Sequence, residues 1–206
     1  MNEIFERIKN QVVGVEMDGA DLATIFQEEL EQFGVGVAIY SVGDQIDQDS
    51  VTVNGYFNSF DWEEEENIEL VLIMNDEEEL LTINTDSWEF LQHQAQQTIE
   101  HEMIHREQIK KRDGLVVMPL YLDGMDEKQK RIVYLSDPDE IDAYANDITL
   151  DLLKNYTYQG AYSRLREYKK IRQDECPILA EYVDIFGWDS DIVRTIVLKA
   201  LKRLET

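Results

Sequence analysis

Gln97-Thr98-Ile99-Glu100-His101-Glu102-Met103-Ile104-His105 is the stretch whose reading decides the fold. His101 and His105 are four apart, so on a helix they share one face, one turn above the other. Two imidazoles so placed reach one Zn²⁺ at about 2.0–2.1 Å, while Glu102 sits beside that face. A carboxylate there takes a proton from metal-bound water, whose pKa zinc lowers to about 7. One helical turn thus supplies two ligands and one base, the His-Glu-x-x-His pattern of a zinc helix. Ile99 and Met103 fall on the opposite side, which gives the helix a back to bury. The bland alternative is a long polar helix with two surface His, since the segment is rich in Gln and Glu.

A catalytic zinc needs a third protein ligand and an open position for water. His93 is one candidate, eight residues before His101. On a continuous helix it would lie about 12 Å along the axis, too far to share the metal. Glu140 is the better one, 35 residues after His105 and near the start of a second helix. Ala143, one turn on, is small enough for close packing. Asp139 and Asp142 stay open on chemistry alone. With Asp137 as N-cap, Glu140 also falls at the third helical position, where it could instead close a capping box.

The whole chain bounds these readings. At 206 residues it is long enough for one sizeable core with a subdomain. Its single cysteine, Cys176, allows no internal disulfide and no cysteine-built metal site. No apolar run reaches membrane-spanning length, and the first residues lack a signal-peptide pattern. A reducing cytoplasm, or a particle assembled there, is the expected location. The net charge is −25, and between Lys9 and Arg106 there are 23 Asp and Glu with no Lys or Arg. That half makes a one-signed field that repels nucleic acid and anionic membranes and attracts cations and basic partners. Plain solubility would account for it equally well.

Periodicity places the elements. Met1 to Lys9 and Asp21 to Gln32 read as amphipathic helices, with Gly34 as a stop. Val35 to Val42, Val51 to Phe57 and Ile68 to Asn75 read as strands. A hairpin is expected at the polar loop carrying Asp44, Asp47 and Asp49, which lacks the frame of a calcium loop. Asp61 to Glu66 and Asn75 to Glu79 read as turns, with Leu80 to Ile83 returning. A long helix follows from about Asp86 to Lys111, with Thr85 or Asp86 as N-cap and Gly114 beyond it. Leu115 to Leu122 is apolar, a strand or a covering loop, and Arg131 to Leu135 reads as extended. Pro138 then opens a helix with Ile141, Ala145, Ile148 and Leu152 as its buried stripe and Glu140, Ala143, Tyr144 and Asp147 on another face. Three helical patterns complete the chain: Ala161 to Arg172, Pro177 to Phe186 and Asp189 to Leu204. The expected class is α+β, a small, mainly antiparallel sheet packed with helices. The expected division is an acidic α/β part over 1–85 and metal-site helices over 86–155, together one domain, then a helical subdomain over 156–206.

His101-Glu102-x-x-His105, followed by Glu140-Ile141-Asp142-Ala143, resembles the zincin metallopeptidases of the gluzincin branch. The wording His105-x-x-Gln108 and Tyr134-Leu135-Ser136-Asp137-Pro138-Asp139-Glu140-Ile141-Asp142-Ala143-Tyr144-Ala145 is also similar to small zincin-like proteins of tailed bacteriophages. The resemblance covers roughly Asp86 to Leu153. It implies His101, His105 and Glu140 as zinc ligands and Glu102 as general base. It also implies that a strand near the active helix, Ile68 to Asn75, aligns an extended peptide. One departure is Tyr144, at the place where the thermolysin type carries an Asp that orients a ligand His; Asp147 is a substitute for that role. Tyr144, Tyr134 and Arg131 are the candidates for oxyanion partner.

Three functions are therefore expected, in order. The first is a zinc metallopeptidase acting on peptide or protein substrates, basic ones favoured by the acidic lobe. The second is a phage-type structural or assembly protein that keeps the zincin fold, docking on particle proteins through Tyr182, Phe186 and Trp188. The third is an acidic mimic of nucleic acid that binds a DNA-binding protein. Direct binding of nucleic acid or of a membrane is not expected.

Overall fold

A computed structural model describes residues 1–42, 51–64, 67–75, 80–117 and 120–205. The polar loop with Asp44, Asp47 and Asp49 and most of the turn after Asn75 lie outside them. The chain divides into two compact units, Met1–Leu115 and Val116–Thr206, each with its own core. It is α+β, mostly helical with small sheets. No helix among the described residues is long and apolar enough to cross a membrane.

The first unit contains helices α1 (Asn2–Val12), α2 (Gly19–Leu30) and α3 (Thr85–Lys110) and strands β1 (Glu16–Met17), β2 (Val35–Val42), β3 (Val51–Phe57), β4 (Ile68–Asn75) and β5 (Leu81–Thr82). Local chemistry fixes the helix ends. The Asp18 carboxylate caps α2 by accepting from Asp21 N–H at 2.8 Å. A single 3₁₀ turn, Glu31–Phe33, then ends at Gly34, whose φ of 69° is the left-handed conformation that favours glycine. The cap of α3 is Asn84, one residue before Thr85 and two before Asp86, accepting from Ser87 N–H at 3.0 Å. Phe5, Phe26 and Trp88 meet in the core with ring centroids 6.2–6.5 Å apart, which ties α1, α2 and α3 together.

The sheet departs from the expected hairpins. Its order is β2-β4-β3, with β2 parallel and β3 antiparallel to β4. Strands β2 and β3, adjacent in sequence, thus lie on opposite sides of β4, and the sheet is mixed rather than mainly antiparallel. The composition explains the outcome. Ile68, Leu70, Leu72 and Met74 alternate inward, and nearly all of β4 is buried or half-buried, the property of a central strand. Leu81–Thr82 does not return along β4; it pairs with Glu16–Met17. A central strand has no free edge, so β4 cannot receive a peptide as the resemblance implied. The open edge nearest α3 belongs to β3.

The second unit contains α4 (Glu127–Leu135), α5 (Pro138–Asn155), α6 (Tyr158–Arg166), α7 (Pro177–Phe186) and α8 (Asp191–Arg203). Arg131 to Leu135 is helical, not extended. The signal was a capping box at Asp126 and Gln129, which satisfies two otherwise orphan amides and starts the helix four residues earlier. Leu115, Val117 and Leu120–Leu122 are exposed and irregular, so the described residues of this stretch form no strand. Ala161 to Arg172 breaks after Arg166 into a 3₁₀ turn, Tyr168–Lys170. The stripe Ile141, Ala145, Ile148 and Leu152 is buried as its period requires. It packs in one core with Leu165, Leu179, Tyr182 and Ile196, so α5 shares its packing with α6–α8.

Candidate metal centre

The orientation of the two histidines follows from the buried stripe of α3. Trp88, Leu91, Ala95 and Ile99 recur at intervals of three and four and fix the rotation of the helix in the first core. Met103 packs at the edge of that core. His101 and His105 then project from the other side, His101 only 8% exposed. Their Nε2 atoms face each other at 3.1 Å, with ring centroids 4.9 Å apart and planes at 68°. Two nitrogens on one tetrahedral zinc, at about 2.0–2.1 Å from it, are about 3.3 Å apart. The pair therefore fits a shared ion.

A neighbour prepares His105 for that role. Its Nδ1 lies 2.9 Å from Oε1 of Gln108, one turn further along α3. The amide oxygen accepts, so Nδ1 carries the proton and Nε2 presents its lone pair. The sequence contained this signal in the spacing His105-x-x-Gln108, quoted within the motif but given no role.

Glu102 projects toward β3. A Cβ placed on Gly55 would collide with Thr98 Cγ2 and stand 3.8 Å from Glu102 Cγ. Only glycine lets the strand pass this close beneath α3. The half-buried carboxylate thus lies beside the sheet edge that is open among the named strands. Periodicity alone gave no sign of this approach.

In the second unit, Pro138 occupies the first turn of α5, and Asp137 accepts from Asp139 N–H at 2.8 Å. The cap therefore engages Asp139, not Glu140, and the Asp137–Glu140 capping box is not formed. The charge of Glu140 bears on the Tyr134 and Tyr144 phenols. The Tyr134 and Tyr144 rings meet edge to face, with centroids 6.3 Å apart. Arg131 is held in turn by Glu181 at 2.7–2.8 Å and lies 5.4 Å over the Tyr134 ring. Burial raises the pKa of both phenols; for Tyr134 the charge of Glu140 adds to it. Both remain protonated donors. The three oxyanion candidates thus lie together within the second unit.

The remaining candidates separate cleanly. Asp142 is engaged by Lys199 at 3.0 Å and Arg203 at 3.5 Å. Asp147 is buried on α5, 3% exposed. His101 and His105 belong to the first unit and Glu140 to the second. Among the described residues, His93, Asp139 and Asp142 belong to no group of three His, Cys, Asp or Glu side chains that could hold a metal. No protein-family model, no curated protein and no solved structure matches the chain.

Proposed function

We propose that this chain is a zinc-dependent metallopeptidase of the zincin kind, with His101, His105 and Glu140 as ligands and Glu102 as general base. The observation that carries the reading is the facing pair of Nε2 atoms at 3.1 Å on one helix, with Glu102 between the two His in sequence. Glu140 enters as the third ligand that the sequence resemblance implies, and two imidazoles plus a carboxylate suit zinc.

The chemistry a zinc supplies when bound is a lowered pKa for water and polarisation of a carbonyl. Glu102 takes the proton of the attacking water and delivers it to the leaving amine as the peptide bond breaks. Tyr134 and Tyr144, kept protonated by burial, are the donors proposed for a developing oxyanion. The outer edge of β3 offers backbone groups to an extended peptide beside Glu102. The first unit carries 27 Asp and Glu against 6 Lys and Arg, so substrates with basic residues near the cleaved bond are favoured.

The test is metal content followed by cleavage. Purified protein should hold about one zinc per chain, lost in His105→Ala, and should cut peptides from a mixed library unless Glu102 is replaced by Gln. No zinc uptake by the wild type would overturn the metal assignment. Zinc bound without cleavage of any library peptide would leave a metal-binding protein and overturn the peptidase.

A further inference from the structure

The last two turns of α3 place Arg106 and Lys110, four apart, on one wall of a recess of about 760 Å³ in the first unit. The other walls are the 3₁₀ turn with Glu31, Phe33 and Gly34 and the turn Trp62–Glu64. The volume lies in the range of sites for small ligands. The basic wall is unusual where it stands, because Arg106 ends the 23-acid run that begins after Lys9.

Arg106 is incompletely satisfied. One terminal nitrogen donates to Phe33 O at 3.2 Å, while its buried Nε has no hydrogen-bond partner. A buried guanidinium N–H calls for an acceptor, and a carboxylate matches its fork with two parallel bonds. Lys110 has its nearest carboxylate, Glu107, at 3.7 Å along the same helix, which leaves its other donors available. A simple anion would meet Glu31, Glu63 and Glu64 across the recess, so the fitting ligand also carries a cation. Trp62 supplies an apolar side. Its indole rests against Gly114, whose φ of 83° favours glycine and where any Cβ would collide with the ring. The aliphatic stem of a long cationic side chain packs on such a surface.

We propose that this recess binds the C-terminal residue of a peptide ending in Lys or Arg. The α-carboxylate pairs with Arg106 and Lys110, the stem lies along Trp62, and the side-chain cation sits among Glu31, Glu63 and Glu64. All of these residues belong to the first unit, and none is a proposed metal ligand. The site is independent of the peptidase reading.

The experiment is an NMR titration of the full chain with Ala-Ala-Lys, in the presence and absence of a chelator. The indole N–H of Trp62, assigned with Trp62→Phe, is the probe. A saturable shift with a Kd near ~1 mM is expected, the same with and without chelator. Binding should weaken about tenfold for the C-terminal amide of the peptide and for Arg106→Gln. Ala-Ala-Ala should bind more weakly than Ala-Ala-Lys to the wild type, and the two should converge in Glu64→Gln. A shift that does not saturate, or equal binding of the acid and the amide, would overturn the proposal. So would binding that survives Arg106→Gln unchanged.

Discussion

Nδ1 of His105 stands 2.9 Å from Oε1 of Gln108, and this one contact decides which nitrogen of the ring faces His101. A ring whose outer N–H is held by a fixed acceptor offers the metal a single tautomer and a single orientation. Gln108→Ala should therefore weaken zinc binding by about 10–100-fold without removing a ligand. Gln108→Glu, which keeps an acceptor, should retain most of the affinity. Competition with a chelating dye measures both, and an Ala variant with wild-type affinity would show that the contact does not orient the ring.

Glu102 separates metal binding from turnover. Glu102→Gln preserves shape but cannot accept the proton of the attacking water, so cleavage should fall by about 10²–10⁴-fold. Zinc content should stay near the wild-type level, because the imidazoles are untouched. The two readouts, bound metal and peptide hydrolysis, are taken on the same preparation. A variant that loses both would mean that Glu102 acts in folding or ligation.

What the sequence disclosed follows from how far each interaction reaches along the chain. The facing histidines, the buried stripe of α5 and the cap at Asp137 are encoded within three or four residues, and pattern reading reaches them. Strand order is not local. Ile68–Asn75 announced itself as the most apolar strand, yet its central place between β2 and β3 depends on pairings across the sheet. The β2–β3 loop looked like a hairpin because adjacent strands usually pair, and here the parallel β2–β4 ladder displaced that pairing. Arg131–Leu135 was misread because its β-branched and aromatic residues were weighed without the capping box upstream. The packing of Arg131, Tyr134 and Tyr144 and the approach of Gly55 to α3 involve side chains whose meeting is set by tertiary contacts, and no periodicity records it.

Gly55 makes that packing testable. Its backbone φ is not in the left-handed region, so the demand for glycine comes from space alone. A methyl group there would strike Thr98 Cγ2 and stand 3.1 Å from Glu69 O. Gly55→Ala should destabilise the first unit by about 1–3 kcal/mol through overpacking against α3. Thr98→Ser removes the nearest methyl and should restore part of the loss, while the contact with Glu69 O persists. Urea midpoints of the two single variants and the double variant measure the coupling. Strict additivity would mean that strand and helix do not meet at this pair.

Glu175 gives the second unit a defined acid sensitivity. It is 9% exposed at its side chain and accepts from Tyr156 at 2.6 Å, Arg164 at 2.7–2.8 Å and the Arg172 N–H at 2.9 Å. The Arg172 amide, followed by the Tyr156 and Arg164 bonds, holds its pKa down from 4.5 to about 2. The ionised carboxylate is thus favoured more in the folded chain than in the unfolded one. Its contribution is complete above pH 4.5 and is lost as the pH falls through about 2. Glu175→Gln removes that titration and the charge opposite Arg164. The variant should be less stable than the wild type at neutral pH, and the gap should close between pH 4.5 and 2. Hydrogen exchange of the α6 and α7 amides, compared between wild type and variant at each pH, isolates the effect from the first unit. A gap that stays constant across this range would mean that packing around Glu175, not its charge, holds the helices together.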